Sequence, residues 1–295
     1  MRATESMWYR DSLFSINRNK LEFAKTIQQQ SSGKRINTFS DDPAGSSFVV
    51  GLNDRKSQIT QFITNVDRTQ TLLSNTETAI SQIQNVLNSA VTTLSQATTG
   101  TSGPEERALL AVDISEKKKQ LLDIANTRVM DRYVFSGTNI DTVPYTETAG
   151  VVTYNGNDGL INSQVGASIQ VTTNIPGSEL FNDGSGDLFT FFENVQTHMT
   201  NNDSAALKND VTRLGEIIKH ISTERGIVGN RIAETTTIKT SLKEFSTNVT
   251  ATISSIEDAN MAEVISNLSK EELGLRVALQ ATARIQSTTL FDYLG

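Results

Sequence analysis

Cysteine is absent from the 295 residues, which excludes disulfides, thiolate nucleophiles and Cys-based zinc sites together. Aromatic residues make up 6% and apolar residues 37%, lean for a large compact core but sufficient for narrow helical bundles. No apolar run approaches the ~20 residues of a membrane span. The first thirty residues lack the continuous apolar core of a secretory signal peptide, so export, if it occurs, must use another route. Basic residues are missing from a long internal stretch: between Tyr133 and Leu207 there is no Lys or Arg, against eight acids. That stretch therefore holds the whole of the net charge of −7 and one unit more. An acidic module of this kind argues against nucleic-acid binding and reads as a solvated face.

Chemistry-bearing clusters are equally scarce. The two histidines, His198 and His220, have no triad-like neighbourhood and read as solvated or capping residues. Asn182–Asp187 and Asn155–Gly159 are rich in oxygen ligands, yet neither has the spacing of a twelve-residue calcium loop ending in Glu; turn chemistry accounts for both. Gly226 and Gly229 have no phosphate-loop context, and the residues leave open whether 225–230 is a turn or continuous helix. No catalytic residue, metal or cofactor is expected.

What the chain does have is heptads. Leu52, Ile59, Val66, Leu73, Ile80, Leu87 and Leu94 repeat every seven residues, and Phe62, Thr69, Thr76, Ile83, Ala90 and Ala97 follow three residues after six of them. This is a coiled-coil seam. Uninterrupted by Gly or Pro, it predicts a helical rod of roughly 70 Å at ~1.5 Å per residue. A second seam runs through Leu207, Leu214, Ile221, Val228, Thr235, Leu242, Val249 and Ile256, less regular because Asp210, Glu224, Arg231 and Thr252 occupy companion positions. A mainly α fold follows: an elongated coiled-coil helical bundle with a small inserted β domain and terminal helical arms.

Taken in order, residues 1–44 form an N-terminal arm and connector, with Met7, Phe14 and Leu21 seven apart and Leu13, Ile16, Phe23 and Ile27 beside them. Residues 45–131 are the N-terminal half of the bundle. Asp42 is a candidate N-cap with Pro43 at the first helical position, and Pro104 opens a helix predicted to run back antiparallel. Residues 132–186 carry the acidic β domain: Tyr133–Gly137 and Val151–Tyr154 are β-rich, and Asn155-Gly156 reads as a hairpin turn. Residues 187–256 are the C-terminal half of the bundle. Near Asp258 the heptad breaks and restarts out of phase in a C-terminal arm, 257–295, as Met261, Leu268 and Leu275 with Val264, Ala278 and Ile285 alongside. Seven basic and three acidic residues in 1–40 face three basic and six acidic in 257–295, so the arms carry opposite net charge.

The connector Ser32-Gly33-Lys34-Arg35-Ile36-Asn37 with Asp41-Asp42-Pro43-Ala44-Gly45, the segment Ile256–Glu263 and the ending Gln286–Leu294 resemble the terminal motifs of bacterial flagellin-like axial proteins. Tyr133–Gly137 with Pro144-Tyr145 and Tyr154–Gly156 is similar to the hook–filament junction branch of that family. Asp-Asp-Pro, where filament members commonly have Asp-Asp-Ala, points the same way. The resemblance implies a structural subunit without enzymatic activity. It would be exported through the flagellar type III apparatus and located in the extracellular flagellum at the hook–filament junction. Implied partners are hook-associated protein 1, flagellin, further copies of the chain and a flagellar export chaperone, with neither nucleic acid nor membrane. The terminal arms would fold together on assembly through Met7, Phe14, Leu21, Ile27, Met261, Val264, Leu268, Leu275, Ile285 and Leu290. A major filament flagellin is the alternative within the family; a hydrolase on a helical scaffold has no acid, base and nucleophile to support it.

Overall fold

The computed structural model describes the backbone of residues 2–99 and 102–294 and the side chains of residues 7–99 and 102–283. The fold is mainly α, as the heptads require. Helices α1 (Arg2–Ser32), α2 (Pro43–Thr98) and α3 (Pro104–Ala125) precede six short strands, β1 (Arg128–Val129), β2 (Arg132–Tyr133), β3 (Tyr145–Thr148), β4 (Val151–Tyr154), β5 (Asn162–Gln164) and β6 (Gln170–Thr172). Helices α4 (Gly177–Leu180), α5 (Leu188–Thr200), α6 (Ser204–Glu257) and α7 (Met261–Leu294) complete the chain. Two compact units result: Met1–Gln58 with Phe245–Gly295, and Ile59–Glu244. Helices α2 and α6 contribute to both.

In the Ile59–Glu244 unit, Ile59, Val66, Leu73, Ile80, Leu87 and Leu94 are all buried, as are Thr69, Thr76, Ile83, Ala90 and Ala97. Helix α6 lies antiparallel to α2. Gln70 bonds Thr236, Gln84 bonds Ser222, and Arg225 donates through Nε to Glu77 at 2.8 Å. Leu214, Ile221 and Val228 are buried on the facing stripe, and Leu242 packs beside Val66, Val165 and Val171. Helix α6 continues through Gly226 and Gly229 without a turn. Helix α3 returns along α2, with Arg107 Nε donating to the Ala97 carbonyl at 2.9 Å and Thr93 Oγ1 to Asp113 at 2.6 Å.

Several polar residues that interrupt the second seam have their polar groups satisfied, Asp210 and Arg231 by other segments and Thr235 within α6. Asp210 meets His198 Nδ1 at 2.7 Å, Arg231 donates to the Asn174 carbonyl at 3.0 Å, and Thr235 returns its hydroxyl to Ile232 at 2.8 Å. Glu224 is only 7% exposed. Burial pushes its carboxyl above the ordinary glutamate range, helped by the Glu179 carboxylate and opposed by His220 and Arg231. A carboxyl raised in the folded state stabilises the fold below its unfolded pKa, and this contribution is lost as pH rises through the folded value. Glu224→Gln should therefore raise stability at pH 7, where the parent has to bury a charge, and leave it unchanged in the acid limb below the ordinary glutamate range. Urea midpoints at the two pH values check this, and equal midpoints for both chains at pH 7 would reject it.

The β segment differs from expectation in detail. It comprises three separate antiparallel hairpins, and after β2 the stretch Val134–Gly137 leaves the strand conformation. The turn between β3 and β4 is Ala149-Gly150, with φ of 52° and 88°, not Asn155-Gly156. Asn155 instead follows β4, where its N–H donates to the Pro144 carbonyl at 2.7 Å and its amide to Thr146 Oγ1 at 2.9 Å. The hairpin needed two successive positive φ angles, and the register, which pairs Thr148 with Val151 at the tip and Tyr145 with Tyr154 at the open end, placed them at Ala149-Gly150. Lys118 of α3 fastens this hairpin: its ammonium donates to Glu147 at 2.9 Å, Glu193 at 2.8 Å and the Gly150 carbonyl at 2.7 Å. Asp187 caps α5 by accepting from Phe189 and Thr190 N–H.

Candidate assembly interface

The Met1–Gln58 and Phe245–Gly295 unit is built on the pair α1 and α7. The helices are antiparallel: Gly33 at the end of α1 bonds Ala259 just before α7 at 2.9 Å, while Ser12 and Thr282 hydroxyls meet at 2.5 Å farther out. Their shared seam is thin. Ile16, Thr26 and Val264 are buried; Ser12, Asn19, Phe23, Leu268, Gly274, Leu275 and Ala278 are half-buried. Arg18, Asn19 and Glu22 of α1 with Lys270, Glu271 and Gly274 of α7 line an open polar cleft along it. One buried carboxylate oxygen, Glu271 Oε2, has no hydrogen-bond partner there, which typically costs about 1–3 kcal/mol.

Large apolar side chains lie on the outside of the pair. Phe14 is 70% and Leu21 72% exposed, and Met7, Ile27 and Met261 are exposed as well. Of the other heptad residues, Val264 turns inward to α1, Leu268 and Leu275 sit at the seam's edge, and the side chains of Ile285 and Leu290 lie outside the described residues. Trp8, Ile265, Leu273, Val277 and Leu279 join the exposed set; they fall off the heptad register and so carry no seven-residue signal in the sequence. A helix pair whose thin seam mixes small and polar residues with a few bulky ones, and whose outer face carries Trp8, Phe14 and Leu21 exposed, resembles one half of a larger core. Exposed apolar surface of this extent marks an interaction site. Among the bundle-seam residues of this unit, Leu52, Val249 and Ile256 are half-buried.

The connector between α1 and α2 joins the segment between α6 and α7. Gly33 closes α1 at a φ of +71°, a left-handed conformation that glycine takes without penalty. Arg35 N–H then donates to the Glu257 carbonyl at 2.7 Å and Ala259 N–H to the Gly33 carbonyl at 2.9 Å. Side chains reinforce this two-stranded contact: Lys34 pairs with Glu257 at 2.8 Å, and Arg35 donates to the Ile256 carbonyl at 2.9 Å and to Asp42 at 3.2 Å. Asp41 accepts N–H bonds from Asn37 and Thr38 and pairs with Lys25; the Thr38 N–H, then Lys25, hold its carboxyl far below the usual range. Asp42 caps α2 by accepting from Gly45 N–H at 2.9 Å. Ile36 is buried, and Gly45 is close against it: a Cβ there would sit 2.5 Å from Asp42 Oδ2 and 2.9 Å from Ile36 Cδ1. Gly45→Ala should accordingly displace the cap or Ile36, costing about 1–3 kcal/mol of local stability. Hydrogen exchange should rise across 36–46 and stay unchanged across 73–94; protection intact at 36–46 would contradict the close fit.

The chain matches the description "bacterial flagellin N-terminal helical region" over residues 7–140 and "bacterial flagellin C-terminal helical region" over 211–294. Among curated relatives, flagellar hook-associated protein 3 of Escherichia coli is 26% identical across 99% of both chains. Two solved structures from Legionella pneumophila share the fold. One is described as flagellar hook-associated protein 3, at 16% identity with a TM-score of 0.64, covering 70% of this chain and 98% of its own. The other is described as the flagellar junction protein FlgL, at 16% identity with a TM-score of 0.62, covering 72% and 100%.

Proposed function

Because this chain belongs to the bacterial flagellin family, we propose that it is a structural subunit of the hook–filament junction, joining hook-associated protein 1 on one side to flagellin on the other. The observation that carries this is the α1–α7 pair, whose outer face carries bulky apolar residues, Phe14 and Leu21 among them, that are left uncovered among the described residues. Copies of the chain, and the neighbouring axial proteins, cover them. Residues 1–44 and 257–295 are the assembly arms in this reading; 45–131 and 187–256 form the bundle that spaces them, and 132–186 is the variable segment. Full-length similarity to hook-associated protein 3 favours the junction over the filament. Export proceeds through the flagellar type III apparatus, with a chaperone covering the C-terminal apolar stripe until assembly.

Seeded growth separates the two family roles. Purified chain added to hook-associated protein 1 should form a thin, self-limiting zone that then accepts flagellin, and should not elongate alone. Micrometre-long filaments from the chain by itself would make it a filament flagellin instead. Failure to bind either neighbour would remove the junction role altogether.

A further inference from the structure

The α1–α7 seam does not itself fix which turn of α1 lies against which turn of α7. Its inward positions repeat by type at heptad spacing, Ser12, Asn19 and Thr26 in one row of α1, Ile16 with Phe23 in another, and Leu268 with Leu275 on α7, so sliding one helix by a heptad exchanges like for like at most of them and costs little, whereas specific registers need a distinctive contact. The exposed apolar pattern is more demanding. A slip would carry Leu273 and Val277 about 10 Å along α1 and break up the surface presented by Phe14 and Leu21. Some other contact must hold the register, and the connector provides a directional one.

We propose that the contact between Gly33–Arg35 and Ile256–Ala259 sets the register of the terminal helices, with Arg35 as its principal positioning residue. Two backbone hydrogen bonds, Arg35 N–H to the Glu257 carbonyl and Ala259 N–H to the Gly33 carbonyl, allow only one alignment. Arg35 spans the junction: one guanidinium nitrogen meets both the Ile256 carbonyl, in the last turn of α6, and Asp42, which caps α2. Lys34 with Glu257 adds an ion pair on the same strand. Because α7 begins at Met261, two residues past Ala259, an alignment fixed at the connector propagates along both helices to Ser12 and Thr282, about 30 Å away. The proposal deepens the assembly reading and rests on it for its purpose, while the register itself is a property of the single chain.

The lack of native cysteine makes register directly measurable. In the full chain, Ser12→Cys with Thr282→Cys reports the observed alignment, and Ser12→Cys with Leu275→Cys reports a one-heptad slip. Oxidised glutathione is the oxidant: the two thiols lose two electrons and two protons to form the S–S bond, and glutathione is reduced. The in-register pair should cross-link readily and the slipped pair poorly. Adding Arg35→Ala should slow the first about 10-fold and speed the second, a coupling of ordinary size between linked sites; Arg35→Lys should restore part of the preference. Melting of the 59–244 unit, which does not contain Arg35, controls for folding. An in-register rate unaffected by Arg35→Ala, or an in-register pair that never cross-links in the parent, would overturn the proposal. Correct cross-linking in a chain that binds no axial partner would instead count against the junction role and leave the register assignment standing.

Discussion

Leu21→Asp should abolish assembly while leaving the isolated chain as stable as before. Leu21 is 72% exposed, and substitutions at such positions usually change folding stability by no more than about 0.5 kcal/mol. On the assembly reading, the same position is covered by a neighbour. The variant then forfeits about 1.5–3 kcal/mol of leucine burial and adds the cost of taking a carboxylate out of water, which runs to several kcal/mol when unpaired. Since every 1.4 kcal/mol is tenfold in affinity, the concentration needed for assembly should rise by more than about 100-fold. Sedimentation of chain seeded on hook-associated protein 1 measures this, with thermal melting as the folding control. Normal assembly of Leu21→Asp, and of Phe14→Asp beside it, would show that the outer face of the α1–α7 pair is not the contact surface.

That face was only partly legible in the sequence, for a physical reason. A helix whose partners all lie within the chain buries the stripe its sequence shows, and α2, packed by α3 and α6, is such a case: its heptad from Ile59 to Leu94 reads directly as the buried line. Helix α1 has one partner within the chain and, on the assembly reading, others outside it. Its large residues Met7, Phe14 and Leu21 announce a periodicity without saying which neighbour they serve, while the intramolecular contact falls to Ser12, Ile16, Asn19 and Thr26. Polar residues in the second seam were obscure for a related reason. Asp210, Glu224 and Arg231 looked like lapses in a heptad because their surroundings, His198, Glu179 and the Asn174 carbonyl, come from other segments. Short-range signals fared unevenly. Asp42-Pro43 and Gly103-Pro104 mark helix starts through capping geometry and fixed φ, but Asn155-Gly156 was outcompeted as a turn by strand pairing that placed Ala149-Gly150 at the tip.

Phe189→Ala should destabilise the Ile59–Glu244 unit by about 3–5 kcal/mol, the largest folding effect expected of one side chain here. The chain has few aromatic residues and concentrates them: Phe189 is fully buried, with its ring 5.0 Å from Tyr145 and 5.5 Å from Phe181, and Phe181 in turn lies 5.7 Å from Phe135. These rings belong to α5, β3, the segment after α4 and the segment after β2, so one truncation loosens four pieces of chain whose own hairpins are too short to persist alone. Close packing leaves little prospect of collapse around the void: a Cβ on Gly177 would already stand 2.8 Å from the Tyr145 hydroxyl. Tyr145 offers an independent readout. Burial holds its phenol well above the ordinary range, with Asp187 adding to the shift, and opening the pocket admits water to the ring. Its titration, followed by ultraviolet absorbance, should move back down toward that of an exposed tyrosine in the variant. A loss below 1 kcal/mol with an unmoved Tyr145 would mean that the aromatic cluster does not anchor the β segment, and that Lys118 with Glu147 and Glu193 holds it instead.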